Sequence, residues 1–499
     1  MKSNLPTKIE TGFATLDYIA IILYFLVLVY MGIYFARREK SADDFFIAGR
    51  RIPWWAAGIS IFGTQLSAIT FLAVPAKAFA EDWVYFLVNM TIIMVAPIVI
   101  YLYLPFFRKL NITSAYEYLE KRFNLGVRIF GSLAFLLFQI GRMGIVLYLP
   151  AIVLTTATGI NIYICILVMG ILATVYTALG GIEAVIWTDV LQVVVLVGGA
   201  LFSFFLMAMK IEGGLGTIIS TGLAENKFHI FNWTWDVTVD AVWIVIIGNI
   251  FANAVPYTTD QTVIQRYLTT PTQKQAARAI WTNAALTLPA SLLFFGLGTA
   301  LFVFYQTHPQ LLDPNIQTDA IFPFFIVQNL PAGIVGIVVA GIFAASMSSL
   351  DSSLNSMATV VITDYYLRLR RRSKKTNTLK IARWLTMIFG FFGTGTALLL
   401  ATFNISSLLD AFREILGLFG GSLAGLFALG ILTRRTTGTG ALIGAVSSAV
   451  ILWFVKSYTE IHFFLYAAIG TLSCFLIGYF ASYLFKDQKE NLTELTIQK

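Results

Sequence analysis

The sequence predicts an all-α protein that crosses a membrane about thirteen times, each crossing being a helix. Of its 499 residues, 58% are hydrophobic and only 12% are charged, whereas soluble domains carry about 25% charged residues. The apolar residues fall in runs near or above ~20, the length that crosses a bilayer as a helix. There are too many such runs for a signal peptide or a soluble core.

The apolar runs define thirteen predicted spans, numbered here 0 to 12. They cover 15–36, 53–79, 83–107, 126–158, 162–179, 184–209, 240–258, 276–306, 324–364, 380–403, 406–431, 436–456 and 461–485. The polar segment 109–124 is predicted to be a short helix lying at the inner surface, with Ser114 as its N-cap.

The basic residues predict the orientation. With the N-terminus outside, 26 of the 34 Lys and Arg residues fall in inside segments, five fall outside and three lie within spans. This asymmetry follows the positive-inside rule and places the C-terminus in the cytoplasm. It also accounts for the net charge of +8 without a nucleic-acid partner, and leaves membrane lipid as the natural neighbour of the basic run at 368–375.

Polar residues concentrate in span 1, around Gly63, Gln65, Ser67 and Thr70. Gly63 lowers helix propensity, and an unwound turn here would free backbone carbonyls near the middle of the membrane. Such carbonyls are sodium ligands in transporters. The alternative is ordinary packing of small residues between helices.

Two further polar clusters carry carboxylates. In span 8, Ser348, Asp351 and Ser352 share one helical face and offer hard oxygen donors, which suit a hard cation such as sodium. In span 5, Asp189 follows the turn at Gly180 and Gly181. A serine-rich packing face would explain the serines but not the buried aspartate.

Arg142 is a basic residue midway along span 3. An arginine at this depth needs an anionic partner or a water-filled cavity. Its chemistry fits two roles equally, a structural ion pair or a clamp for the carboxylate of a substrate.

The sequence lacks a phosphate-binding loop and any Ser–His or Cys–His constellation for hydrolysis. These observations predict a transporter driven by an ion gradient, and not an enzyme. A channel or a membrane-embedded sensor is the alternative from another functional class.

The chain resembles the sodium/solute symporter family from end to end apart from its tails. The resemblance lies in the stretches 41–50, 180–192 and 260–266 and in the serine-rich run 345–356. Within the family it looks most like the bacterial sodium/sialic acid symporters, through 77–79, 104–119, 140–142 and 186–189.

The resemblance implies the leucine-transporter fold, with two inverted repeats of five helices. It divides the chain into an N-terminal tail with an extra helix (1–36), a first repeat (53–209), a second repeat (240–431), two C-terminal helices (436–485) and a cytoplasmic tail (486–499). Spans 1 and 6 would be broken at the membrane midplane, and Pro256 is a candidate for the second break.

The resemblance also implies the cation sites. The family's common sodium site falls on the carbonyls of Gly63, Leu66 and Ala345 and the hydroxyls of Ser348 and Ser349. A second sodium site falls on Asp189, Ser348, Asp351 and Ser352. Asp351 stands where the sialic acid transporters have serine, so either one or two sodium ions accompany each cycle, or a proton shares the second site.

The substrate region implied by the resemblance comprises Gln65, Ser67, Thr70, Tyr85, Asn89 and Arg142. Arg142 matches the residue that binds the sialic acid carboxylate. Gln65 stands in place of threonine and Asn89 in place of glutamine. These differences change how far the polar side chains extend into the substrate region.

The sequence thus predicts a monomeric sodium-coupled importer of sialic acid or a related carboxylated sugar, located in a bacterial inner membrane. A symporter for neutral sugars, inositol or small monocarboxylates is the alternative within the family.

Overall fold

The computed structural model describes residues 13–110, 112–314, 316–369, 378–402, 408–485 and 495–496. Every regular element in these ranges is a helix. The α-helices are α1 (Thr15–Ala36), α2 (Ala42–Ile47), α3 (Trp54–Gln65), α4 (Ala68–Ala80), α5 (Phe86–Ile98), α6 (Leu104–Lys109), α7 (Tyr116–Arg122), α8 (Leu125–Thr158), α9 (Ile162–Lys210), α10 (Gly214–Ala224), α11 (Val242–Thr258), α12 (Gln261–Leu268), α13 (Gln273–Thr307), α14 (Ile321–Asn329), α15 (Ile334–Val360), α16 (Leu367–Leu369), α17 (Thr378–Leu400), α18 (Leu408–Leu432), α19 (Gly438–Tyr458) and α20 (Tyr466–Ala481).

The described helices account for the thirteen predicted spans, except that the predicted span 324–364 is divided, with α14 ending at Asn329 and α15 beginning at Ile334. Nine of them are long and apolar enough to cross a bilayer singly, and two bent helix pairs qualify as broken spans. The longest, α9, has 49 residues, or about 74 Å, more than twice the ~30 Å thickness of the hydrocarbon core. Its helical geometry is interrupted at Gly181, so it supplies two spans, which we call α9a (162–180) and α9b (182–210). The 25-residue helix α18 supplies the thirteenth span.

The interruption in α9 requires glycine. Gly181 has φ 53°, a left-handed conformation that side chains with a Cβ rarely adopt. A Cβ there would also lie 2.8 Å from the ring and the carbonyl oxygen of Phe45 in α2. The short helix α2 therefore packs directly on the point where α9a meets α9b.

Two spans are broken, at corresponding places in the two halves of the chain. α3 and α4 are bent by 56° relative to each other, and α11 and α12 by 58°. The second break follows Thr258, two residues after Pro256, which lies inside α11. Broken helices five spans apart are characteristic of inverted-repeat transporters.

Side chains satisfy the backbone at both breaks, because the hydrocarbon core offers no water to do so. Ser67 accepts a hydrogen bond from the Thr70 amide at the start of α4, and Asp260 accepts one from the Thr262 amide at the start of α12. The Tyr116 hydroxyl donates to the Thr259 carbonyl at 2.8 Å. Tyr116 begins α7, the short helix predicted within 109–124, but the N-cap is Ala115 and not the predicted Ser114.

α1 is attached to the bundle by a polar contact as well as by packing. One oxygen of the buried Asp17 carboxylate accepts from the amides of Gly333 and Gly336, at 2.7 and 2.8 Å. These amides lie at the N-terminus of α15, where unpaired N–H groups favour a carboxylate. The contact is close, since a Cβ on Gly336 would meet the backbone of Asp17.

A buried acid lies between α1 and α2. The Glu39 side chain is buried, and neither of its carboxylate oxygens has a hydrogen-bond partner among the described residues. Burial raises the pKa of Glu39 from 4.5 to about 8; the charges of Glu183 and Asp44 raise it further, and Arg51 and Arg383 oppose the shift. Glu39 is therefore held largely protonated at neutral pH.

We expect Glu39 to weaken the fold as pH rises. The unfolded chain ionises Glu39 near pH 4.5, whereas the folded chain does so only near pH 8. Stability is therefore lost progressively between these two values, at about 1.4 kcal/mol per pKa unit at most. Glu39→Gln removes this loss, so its thermal midpoint should exceed that of the wild type by more at pH 9 than at pH 5.

Asp43→Asn is the matched control, because Asp43 lies on the exposed side of α2 and carries the same charge change. A Glu39→Gln difference that is the same at both pH values would contradict the assignment.

Candidate functional site

A cavity of about 230 Å³ lies beside the break between α3 and α4. Helices α3, α4, α5, α11 and α13 line it. The polar lining consists of amides and hydroxyls, from Gln65, Thr70, Asn89, Asn253, Tyr257, Asn283, Thr287 and Ser291. The apolar lining comes from Phe62, Leu66, Val74, Ile92, Ala290 and Phe294. Such a lining suits a solute rich in hydroxyl and amide groups.

The cavity amides are held in place by hydrogen bonds. Asn89 donates to the Ser291 hydroxyl at 3.0 Å, and Asn253 donates to the Thr91 hydroxyl at 2.7 Å. Asn283 donates to the Tyr257 hydroxyl at 2.5 Å. The carbonyl oxygen of the Asn283 side chain is buried and has no partner among the described residues. It is thus an available acceptor for a solute hydroxyl.

Three of the predicted substrate residues line the cavity, namely Gln65, Thr70 and Asn89. Ser67 caps α4 beside them. Tyr85 packs against Phe464, with ring centroids 5.3 Å apart, and does not line the cavity. The roles of these residues in binding remain predictions.

The α13 side of the cavity was not predicted from the sequence. Asn283, Thr287 and Ser291 recur every four residues, which places them on one face of α13. This row of polar residues at helical spacing within an apolar span is the feature of the sequence that could have indicated their place in the cavity.

Arg142 does not line the cavity. Its guanidinium lies 3.7 Å from a carboxylate oxygen of Asp260, the N-cap of α12. Gln139 donates to the other oxygen of the same carboxylate at 3.3 Å and accepts from Ser353 at 2.8 Å. The structure thus supplies the anionic partner that an intramembrane arginine needs.

The first predicted cation site joins α3 to α15. Leu66 ends α3 with a non-helical ψ of 72°, and Ala345, Ser348 and Ser349 are buried in α15. Gly63 faces α9b closely, since a Cβ there would lie 2.9 Å from Val193. The Ser349 hydroxyl reaches the Ala345 carbonyl only at 3.5 Å, the outer limit of a hydrogen bond.

The second predicted cation site is assembled from α9b and α15, and all four of its residues are buried. Ser348 donates to one oxygen of Asp189 at 2.6 Å. Asp351 and Ser352 adjoin this pair, with the Ser352 hydroxyl 3.2 Å from the Asp351 carboxylate. Ser348 therefore belongs to both predicted sites.

Arg266 is a charged residue of this region that was not predicted from the sequence. The sequence predicts a cytoplasmic position for Arg266, but its side chain is fully buried and lies 2.9 Å from Asp189. It also donates to the Ser60 and Ser352 hydroxyls, at 2.7 and 2.6 Å. Its position eight residues after Thr258, where α11 ends, gave no sign of this contact.

We expect the Asp189–Arg266 pair to be essential for folding stability. Arg266→Met leaves Asp189 charged, buried and unpaired, which typically costs about 3–5 kcal/mol. The thermal midpoint of the purified protein should fall sharply. Adding Asp189→Asn removes the stranded charge and should restore most of the loss. A double variant as unstable as Arg266→Met alone would show that the charge pair is not the cause.

Comparisons with known proteins agree with this architecture. The sequence profile of the Sodium:solute symporter family matches residues 45–447. The chain is 42% identical to the sodium/sialic acid symporter NanT of Aliivibrio fischeri over 98% of this chain and 97% of that protein. It is 40% identical to the sodium/sialic acid symporter SiaT of Proteus mirabilis over 96% of this chain and 97% of that protein.

Solved structures show the same fold. A Na⁺-coupled sialic acid symporter in a substrate-bound outward-open state superposes with a TM-score of 0.91 at 40% identity, covering 96% of this chain and all of that one. Mhp1, a nucleobase-cation-symport-1 family transporter, superposes with a TM-score of 0.54 at 14% identity over 90% of this chain and 97% of that one. The predicted leucine-transporter-like fold is confirmed, and the chain belongs to the sodium:solute symporter family.

Proposed function

We propose that this chain imports sialic acid, or a related carboxylated sugar, together with sodium by alternating access. The two relatives that are about 40% identical over nearly the whole chain are sodium/sialic acid symporters. The observation in this structure that carries the proposal is the interleaving of the two predicted sites. Gly63 and Leu66 belong to the cation set, and Gln65 and Thr70 line the cavity within the same break.

This interleaving provides a route for coupling. A sodium ion held by the Gly63 and Leu66 carbonyls and the Ser349 hydroxyl would fix the end of α3 against α15. The same turn carries Gln65 into the cavity. Sodium binding therefore orders the solute site, and solute binding favours the sodium-bound arrangement by the same free energy.

Arg142 would bind the solute carboxylate in this proposal. Asp260 holds the guanidinium at 3.7 Å, longer than the ~2.7–2.9 Å of a strong charge-assisted hydrogen bond. A solute carboxylate can therefore replace Asp260 without breaking a tight contact.

The charge of the solute affects the driving force. One sodium ion carried with one carboxylate moves no net charge, so a tenfold sodium gradient supplies about 1.4 kcal/mol. A second sodium ion adds the same amount and also responds to the membrane potential, worth roughly 2.3 kcal/mol per 100 mV. Accumulation of an acidic sugar thus benefits strongly from two sodium ions.

We place the protein in a bacterial inner membrane as a monomer, surrounded by lipid, with the N-terminus outside and the C-terminus in the cytoplasm. The basic residues support this orientation. The repeats at 53–209 and 240–431 would rock against each other around the central sites, as inverted repeats do. The two helices at 436–485 lie outside the repeats.

One observation favours a neutral solute as the second candidate. The residues that line the cavity are uncharged, and Arg142 already has a carboxylate partner. Neutral sugars and inositol would need only the amides and hydroxyls.

We expect purified protein to bind N-acetylneuraminic acid in sodium buffer and not in potassium buffer of equal ionic strength, measured by calorimetry. Ser349→Ala removes one proposed sodium ligand and should raise the sodium concentration needed for half-maximal binding at least several-fold. Ser473→Ala, which removes a partly buried serine hydroxyl in α20, should behave like the wild type. Binding that is equal in both buffers would refute the coupling, and no binding in either would refute the substrate.

We expect Arg142→Ala to weaken binding of N-acetylneuraminic acid by about ten- to a hundredfold, since a hydrogen bond to a charged group contributes roughly 1.5–3 kcal/mol. Asp260→Asn is the matched variant, because asparagine still caps α12 but no longer competes for Arg142. It should bind the acid at least as tightly as the wild type. Arg142→Ala with wild-type affinity would favour the neutral-solute alternative, which a panel of sugars and inositol then tests.

A further inference from the structure

An apolar groove of about 420 Å³ runs between the membrane-spanning helices α8 and α19. Its walls are side chains that are about half exposed, among them Leu137 of α8 and Val450 and Trp453 of α19. Its floor is formed by the buried residues Ser422 and Leu423 of α18. The groove therefore opens outward, away from the centre of the bundle.

The lining of the groove is aliphatic and aromatic, apart from one serine hydroxyl among the described residues. The Ser422 hydroxyl donates to the Ser448 hydroxyl at 3.0 Å, and Ser448 donates to the Gly470 carbonyl at 2.7 Å. This hydroxyl is thus engaged within the protein, and the groove suits an apolar occupant.

The groove lies at the depth of the hydrocarbon core. α19 has 21 residues, or about 32 Å, which matches the ~30 Å thickness of that core. The groove occupies the middle of this helix, from Ala445 to Trp453, over about 12 Å. Water is absent from this depth, so an occupant must come from the membrane.

The size of the groove excludes a helix from its interior. A helix with its side chains is about 10–12 Å across, so a 12 Å length fills roughly 1,000 Å³, more than twice the volume of the groove. A hydrocarbon chain is narrower and bends to follow the walls. An empty groove would leave these side chains without dispersion contacts on one side.

One end of the groove is closed, because α8 and α19 touch where they begin. A Cβ on Gly438 would clash with the side chain of Asn124, and a Cβ on Gly126 would lie 3.9 Å from Leu442. The two helices separate beyond this contact. A chain therefore enters from the other end, beside Trp453, which belongs to the outer leaflet in the proposed orientation.

Leu423 connects the groove to the break in span 6. It lines the groove and also a small cavity of about 30 Å³. Pro256, Thr259 and Asp260, which surround the break, line the same small cavity. A chain in the groove packs against Leu423, and Leu423 in turn faces the break.

We propose that an acyl chain of an outer-leaflet phospholipid occupies this groove and supports Leu423 against the break between α11 and α12. The lipid is then part of the transporter, because it stabilises the position of α18 beside a broken span. This role goes beyond the proposed function and does not depend on which solute is carried.

Ala449→Phe tests the site, because Ala449 lines the groove and is exposed, so the added ring fills the groove and not the core. We expect the wild type, purified in mild detergent with palmitoyl-oleoyl phosphatidylglycerol, to retain a tightly bound lipid in native mass spectrometry. Ala449→Phe should reduce this retention at least several-fold. Ala449→Leu, which fills less of the groove, should reduce it less.

Ala285→Phe is the matched control. Ala285 is also exposed and follows Trp281 by one helical turn on a face of α13 where Leu288 is exposed as well. It does not line the groove, so this variant should retain the lipid as the wild type does.

Hydrogen exchange measures the effect on the break. Added lipid should slow amide exchange in the segment 255–262 several-fold in the wild type and in Ala285→Phe, because a supported break opens less often. It should have no such effect in Ala449→Phe.

Equal lipid retention in the wild type and Ala449→Phe, or no retention by the wild type, would overturn the site. A wild-type dimer that Ala449→Phe converts to a monomer would also overturn it, since a second copy would then cover the groove. Retention without slower exchange at 255–262 would overturn the effect on the break. Neither sodium nor solute enters these measurements, so their outcome is separate from that of the sialic acid binding experiment.

Discussion

The interior of this protein depends on one constraint, that polar groups in the hydrocarbon core must find partners within the protein. The Asp189–Arg266 pair meets this constraint for two charges at once and connects distant parts of the chain. Arg266 comes from α12, Asp189 from α9b, and the serines that share the contact come from α3 and α15. The pair therefore joins helices of both predicted repeats.

The break between α3 and α4 brings the cavity and the predicted cation ligands into the same short segment. An unbroken helix would use its carbonyls in its own hydrogen bonds, and Leu66 departs from helical geometry at the point where such a carbonyl is needed. Gln65, one residue earlier, lines the cavity. A change in the backbone at this turn would alter both predicted sites, and we propose that this shared turn is the physical basis of coupling.

Much of the fold could be predicted from the sequence because membrane insertion imposes strong local rules. The lengths of the apolar runs, the glycine pair at 180–181 and the polar residues of span 1 each indicate a structural feature without long-range information. The leucine-transporter-like arrangement followed from family resemblance and was confirmed by the comparisons. The turn at Gly181 was confirmed by its left-handed backbone.

The parts of the site that could not be predicted from the sequence depend on contacts between residues far apart in the chain. Arg266 looked like a residue of a cytoplasmic segment because it follows a short polar stretch, and only the tilt of α12 after the break brings it to Asp189. The partner of Arg142 could not be identified for the same reason, since Asp260 lies 118 positions away in the sequence. The row of polar residues on α13 was visible as a pattern, but its role required knowing which helices surround the cavity.

The attachment of α1 gives this extra helix a defined depth and rotation. Much of its surface is apolar and faces away from the bundle, and such a helix can slide or turn in lipid at little cost. The carboxylate of Asp17, fixed by two amides of α15, removes both freedoms. Each shift of α15 along its axis must therefore carry α1 with it. If α15 shifts during transport, the extra helix would move with it, and the lipid packed against its outer face would be rearranged in each transport cycle.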